Sequence, residues 1–99
     1  MANPKPIPLE VLAHCADALK VLAHPIRLHA VDLLSCQRMT VGELAEKIGK
    51  PPAEISQHLS KMKRAGLISV ERDGQKAYYS VTNPSCTTIL GCIRKNFVK

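Results

Sequence analysis

Two short apolar patterns with helical spacing, split by a glycine–proline stop, dominate the middle of this chain. Thr40 precedes Glu43 by three residues, the spacing of a capping box in which hydroxyl and carboxylate each satisfy a free backbone N–H. Val41, Leu44, Ala45 and Ile48 then fall on one helical face. Gly49 suits the left-handed conformation that ends a helix, and Lys50-Pro51-Pro52 makes the turn. A second helix starts at Pro52 or Ala53, carries Ile55, Leu59 and Met62 at i, i+4 and i+7, and stops at Gly66. Two short helices joined by so brief a turn predict a helix–turn–helix unit.

The flanks complete the plan. Leu9, Leu12, Cys15, Ala16, Leu19 and Leu22 or Ala23 form an apolar stripe, and Pro25 disfavours helix at His24. Pro25 then suits the first position of a helix running to about Cys36, with Ile26, Leu28, Val31, Leu33 and Leu34 expected inside. After Gly66, Leu67–Arg72 and Gln75–Val81 read as strands around Asp73-Gly74, a strong short-hairpin pair. Asn83-Pro84 opens a last helix to about Phe97. The expected class is mainly α with a small β-hairpin wing, in the order α-α-α-α-β-β-α. Residues 1–8, with three prolines, are expected as a flexible arm, and residues 9–99 as one winged-helix domain.

At 99 residues, about 65% of the unfolded surface can be buried, enough for one small core. Leu9, Leu12 and Leu19 of the first helix and Ile89, Leu90, Ile93 and Phe97 of the last exceed what such a core absorbs. These residues are the expected dimer interface. No apolar run approaches the ~20 residues of a membrane span. The start lacks the apolar stretch of a secretory signal. The expectation is a soluble, cytoplasmic chain with no membrane partner.

Charge narrows the partner. The net charge is +6, and the excess sits in the second half: residues 36–76 hold eight basic and five acidic side chains, and residues 77–99 hold three and none. Lys61, Lys63 and Arg64 cluster without an acid between Ser56 and Gly66. Such a surface favours an acidic partner, double-stranded DNA first. With no Trp, one Phe and two Tyr, an RNA platform of stacked rings is hard to build. The outer face of the second short helix shows Ala53, Glu54, Ser56, Gln57, Ser60, Lys61 and Arg64. Gln57 can pair bidentately with adenine, Ser56 can bond either kind of base, and the cations suit phosphates. Arg72, Gln75 and Lys76 at the hairpin tip would lie along the DNA backbone as a wing. No Gly-rich phosphate loop, nucleophile elbow or Cys-His-acid set appears, which disfavours an enzyme.

Several segments resemble one family. Leu19–Leu28 is similar to an "LKALAHPxRL" opening, Thr40–Ala45 to "TVGELA", Ile55–Ile68 to a "VSQHLxxLRxAGLV" recognition helix, and Gly74–Tyr79 to a "GxxxYY" wing. On these motifs the chain is identified as a member of the ArsR/SmtB family of winged-helix repressors, over about residues 9–97. The resemblance implies a homodimer paired through its first and last helices. It also implies repression at an imperfect palindrome, and release by a metal ion or a thiol-reactive signal. Ser56, Gln57 and His58 match the family's DNA-facing positions, with Thr40 at the start of the preceding helix. Pro52 and Ala53 stand where a polar pair commonly opens the recognition helix.

The four cysteines, Cys15, Cys36, Cys86 and Cys92, form no Cys-x-x-Cys. The family's Cys-x-Cys box after Glu43-Leu44 is replaced by Ala45-Glu46-Lys47, and Asn83–Lys99 holds no Asp, His or Glu. A zinc sensor of those designs is therefore disfavoured. No cofactor is certain, and a thiophilic metal or metalloid ion is the candidate. Cys86 and Cys92 sit six residues apart, about 9 Å of rise and 120° of rotation on a helix, too far to chelate within one intact helix. Cys86 near the last helix's N-terminus is expected to have a lowered thiol pKa. A Cys near the start and another in the middle of this helix resemble arsenite-sensing members, which carry a further Cys where Ser85 stands. Cys36 with Cys92 resembles persulfide- and redox-sensing members. Four inert thiols, acting as small hydrophobes, are the bland alternative. The resulting reading is a homodimeric repressor released by a thiol-directed signal. The alternatives are a winged-helix protein-interaction module and a thiol- or metal-binding protein without an operator.

Overall fold

A computed structural model describes residues 5–98; residues 1–4, half of the expected arm, lie outside the described residues, as does Lys99. Seven elements follow in order: α1 (Leu9–Leu22), α2 (Pro25–Cys36), α3 (Val41–Ile48), α4 (Pro52–Arg64), β1 (Ile68–Asp73), β2 (Lys76–Val81) and α5 (Pro84–Phe97). The chain is mainly helical with one antiparallel hairpin, as its patterning predicts.

Local chemistry sets the boundaries. His24 is extended and its Nδ1 accepts the Ile26 N–H, so the side chain that ends α1 also caps α2. Thr40 and Glu43 form both halves of the capping box: Thr40 Oγ1 accepts the Glu43 N–H at 3.1 Å, and Glu43 Oε1 accepts the Thr40 N–H at 2.9 Å. Those bonds hold the Glu43 carboxyl below the usual range. Gly49 at φ 81° and Gly66 at φ 77° end α3 and α4. After Gly66 the Leu67 N–H reaches the Met62 carbonyl and the Gly66 N–H that of Lys63, the paired bonds of a Schellman stop.

The hairpin is shifted by one residue from the sequence reading. Asp73 pairs with Lys76, so the loop is Gly74-Gln75, with the positive φ confined to Gly74. That is the geometry of a two-residue loop with glycine first, whose twist matches the strands. On the other edge of β2, Met39 exchanges two backbone hydrogen bonds with Tyr79. This single β-bridge ties the linker before α3 to β2, and so the wing to the helix–turn–helix.

One core lies between α2, α3, α4, the hairpin and α5. Val31, Leu44, Ile55, Leu59, Met62 and Cys86 are fully enclosed. Ile26, Leu28 and Leu33, expected inside, are only half-buried at its margin. Leu22 is the only buried residue of α1, while Leu9, Leu12 and Leu19 stay exposed. No helix among the described residues is long and apolar enough to cross a membrane. Thr40→Ala removes one half of the capping box, and urea unfolding should show a loss of about 1 kcal/mol. An unchanged midpoint would mean that the box contributes nothing to stability.

Candidate nucleic-acid interface

Helix α4 has two chemically distinct faces. Ile55, Leu59 and Met62 point into the core. Ser56, Gln57, Ser60, Lys61 and Arg64 line one shallow outer groove, which Lys63 extends beside Ser60 and Arg64. Ala53 is exposed on the first turn. Ser56, Gln57, Ser60, Lys61, Lys63 and Arg64 thus share a surface, whereas Glu54, expected beside them, is half-buried and lies near His58.

His58, expected at a DNA-facing position, is turned inward. Its side chain is only 13% exposed. Position 58 completes the i, i+3, i+4, i+7 set formed by residues 55, 58, 59 and 62, so the periodicity that marks the buried face already included it. Its Nδ1 accepts a hydrogen bond from Arg27 Nε at 3.0 Å, and its ring packs against His24 with centroids 4.5 Å apart. Nε2 lies 3.8 Å from the Glu54 carboxylate. Burial, reinforced by His24 and Arg27, pushes the His58 pKa below its ordinary value, against the opposing pull of Glu54.

The wing presents Arg72, Gln75 and Lys76, all exposed. Its Asp73 is paired with Arg38 at 2.9 Å, and the Arg38 guanidinium also lies over the Tyr78 ring at 4.2 Å. Arg38 therefore offsets the one acid at the wing tip. Sequence reasoning missed it because its partner lies 35 residues away. Thr40 begins α3, with its hydroxyl occupied by the cap.

The cysteines divide by environment. Cys15, Cys36 and Cys92 are exposed and Cys86 is buried. Burial raises the Cys86 thiol pKa, the opposite direction to the expected lowering. Cys86, Ile89, Leu90 and Ile93 make the same i, i+3, i+4, i+7 pattern, which announces an inward thiol. Leu90 likewise belongs to the protomer's own core rather than to a free surface, whereas Phe97 is 80% exposed and Ile89 and Ile93 are half-buried. Cys15 and Cys86 border one apolar cavity of about 390 Å³ between α1 and α5. Helices α2 and α5 are tied by the Asp32–Arg94 ion pair. Cys36 stands one turn beyond Asp32, its thiol directed at the Asp32 carbonyl, and Cys92 accepts a hydrogen bond from Asn96. Among the described residues no three His, Cys, Asp or Glu side chains converge on a metal position, so a three-ligand centre within one protomer does not fit them.

A helix–turn–helix with a polar, basic outer helix and a basic two-stranded wing defines the winged helix-turn-helix class. The chain belongs to the ArsR family of bacterial regulatory proteins, whose family pattern matches residues 24–70. It is 41% identical over 78 residues to the nodulation protein NolR of Rhizobium meliloti, an alignment covering 79% of this chain and 64% of that protein. The chain thus spans less than two thirds of this curated relative. The crystal structure of NolR from Sinorhizobium fredii is similar with a TM-score of 0.84 and 37% identity, covering 99% of this chain and 98% of that one. The homodimeric winged helix-turn-helix DNA-binding domain Mb0332 of Mycobacterium bovis is similar with a TM-score of 0.78 and 25% identity, covering 96% and 88%. The family consists of transcriptional regulators and not of enzymes.

The cysteine environments order their reactivity. Iodoacetamide at neutral pH should label Cys36 and Cys92 well before Cys86, as read by mass spectrometry of timed samples. Equal rates would contradict the enclosed thiol.

Proposed function

We propose that this protein is a homodimeric transcriptional repressor that reads double-stranded DNA with α4 and steadies the complex with its wing. The observation that carries this reading is the single outer surface of α4 formed by Ser56, Gln57, Ser60, Lys61 and Arg64. Gln57 has the donor and acceptor pair for adenine, Ser56 supplements it, and Lys61, Lys63 and Arg64 meet phosphates. Ala53 would lie against the groove at the start of the helix, while Thr40 positions α3 across the backbone. Arg72, Gln75 and Lys76 would follow the flanking backbone. A repressor acting in this way would work in the cytoplasm.

Dimerisation supplies the second reading head. Recognition helices in successive major grooves need a spacing of about 34 Å, and an imperfect palindrome mirrors the two-fold axis. The exposed Leu9, Leu12, Leu19 and Phe97 form the surface that a second copy would cover, with Ile89 and Ile93 beside them. The homodimeric form of the Mycobacterium bovis domain supports this arrangement.

Release from DNA is assigned to Cys36 and Cys92. Both thiols are exposed on the two helices that Asp32 and Arg94 tie together. Joining them, by a soft metal or metalloid ion or by oxidation with a hydroperoxide or polysulfide, would shift α5 and with it the spacing of the recognition helices. A coupling of about 1–3 kcal/mol lowers DNA affinity about 5–150-fold. Cys15 and the enclosed Cys86 are secondary candidates.

The test uses a duplex selected by the wild-type protein from a random-sequence pool. Gln57→Ala should cost ~1–3 kcal/mol on that duplex and little on random DNA. Lys61→Ala should weaken both alike and flatten the salt dependence by about one. Failure to select any duplex would sink the reading and favour a protein-interaction module. Leu12→Glu with Phe97→Glu leaves the protomer core untouched and should give monomers in sedimentation. Arsenite, zinc, hydrogen peroxide and a polysulfide, each added to wild type, Cys36→Ser and Cys92→Ser, test the release step. A wild type indifferent to all four would leave the cysteines as inert residues.

A further inference from the structure

One guanidinium holds three helices together behind the DNA-facing surface. Arg27, on the first turn of α2, donates through Nη1 to the Val21 carbonyl at 2.8 Å, near the C-terminal end of α1. Carbonyls in the last turn of a helix have no partner within it, and a cation there also meets the negative end of the helix dipole. The same side chain donates through Nε to His58 Nδ1 at 3.0 Å, on α4. His24 closes the arrangement: its Nδ1 caps α2 and its ring lies against that of His58. No other side-chain hydrogen bond among the described residues links α1 or α2 to α4.

We propose that Arg27 and His58 are positioning residues that clasp the recognition helix to α1, the helix bearing the exposed leucines, and so fix the angle at which α4 meets DNA. The proposal rests on the reading of α4 as the DNA-facing helix. His58 touches no base in this arrangement. It acts by accepting from Arg27, which requires an unprotonated Nδ1 and therefore puts any ring proton on Nε2, toward Glu54. The fork geometry of the guanidinium lets one side chain serve the Val21 carbonyl and the imidazole together, which an ammonium on a single-point stem does not reproduce.

Protonation opens the clasp. An imidazolium has no acceptor at Nδ1, and it would face the Arg27 cation, with His24 also alongside, Lys61 one turn further along α4, and only Glu54 opposing. The folded-state pKa of His58 lies below the ordinary value near 6.5. At neutral pH the neutral, clasped form therefore predominates. It is lost as pH falls from about 6.5 through the lower folded-state value.

The experiment compares wild type with His58→Leu, His58→Asn and Arg27→Lys. Asn presents Oδ1 close to the position of Nδ1 and does not titrate, whereas Leu removes the acceptor. Lys keeps the charge and loses the fork. Affinity for the duplex selected by wild type, divided by that for random DNA, is measured from pH 5.5 to 8, alongside amide exchange of α4 and sedimentation. His58→Leu and Arg27→Lys should lower the ratio about 5–150-fold with the dimer retained and α4 exchanging faster. His58→Asn should recover most of the ratio and blunt its fall on the acid side. The proposal is overturned if His58→Asn is as impaired as His58→Leu. It also fails if Arg27→Lys keeps the full ratio, or if the wild-type pH profile survives in His58→Asn. If wild type selects no duplex, the DNA reading fails by itself. The clasp is then judged by exchange: faster exchange of α4 in His58→Leu and Arg27→Lys but not in His58→Asn supports it, and unchanged exchange refutes it.

Discussion

The seating of α4 on the core is the constraint from which the rest of the molecule follows. Ile55, Leu59 and Met62 are almost wholly enclosed, and removing any of them would leave a cavity costing about 2–5 kcal/mol. With that stripe committed inward, the rotation of the helix is fixed. Ser56, Gln57, Ser60, Lys61 and Arg64 must then face out, and the basic surface is a by-product of apolar packing. The wing depends on the same seat. Gly66 ends α4 with Leu67 directed back to the Met62 carbonyl, so the first residue after the turn is already buried, and β1 starts from a defined point.

Much of this was legible because its causes are local. Thr40 and Glu43 lie within one turn, Gly49 and Gly66 act at their own positions, and Asn83 accepts the Ser85 N–H two residues on. Signals of this kind locate helices without knowledge of the rest of the chain. The ties between elements were not legible. Arg27 meets His58 across 31 residues, Arg38 meets Asp73 across 35, and Asp32 meets Arg94 across 62. Nothing in the spacing of a charged residue names its partner. At two positions the pattern held more than was taken from it. His58 and Cys86 each complete a buried helical stripe, yet the family match suggested a DNA-facing position for one and the helix N-terminus a lowered thiol pKa for the other. For both, burial decided the chemistry.

The same distinction organises the candidate site. Its outer half is a set of exposed side chains whose roles follow from what they offer a base or a phosphate. Its inner half is a polar cluster, Arg27, His24, His58 and Glu54, set into an otherwise apolar junction. Among the described residues, no buried side-chain nitrogen or oxygen lacks a hydrogen-bond partner. The Arg27–His58 and Arg27–Val21 hydrogen bonds have directional requirements that packing alone lacks, because each donor must find its acceptor. They can therefore specify an orientation where leucines would tolerate several.

The apolar side chains left uncovered at the two ends of the chain also bear on how the protein behaves at different abundances. Leu9, Leu12, Leu19 and Phe97 stand in water in a single protomer, and α1 buries little else that would hold it in place. Covering them by the proposed self-association would make folding and pairing one linked equilibrium, governed by mass action. A dilute population would then hold fewer paired reading heads and also less stable protomers, with α1 fraying first. Occupancy of DNA would rise with abundance more steeply than in simple proportion. The concentration at which the proposed dimer forms would then be set by a few leucines rather than by any feature of the outer face of α4.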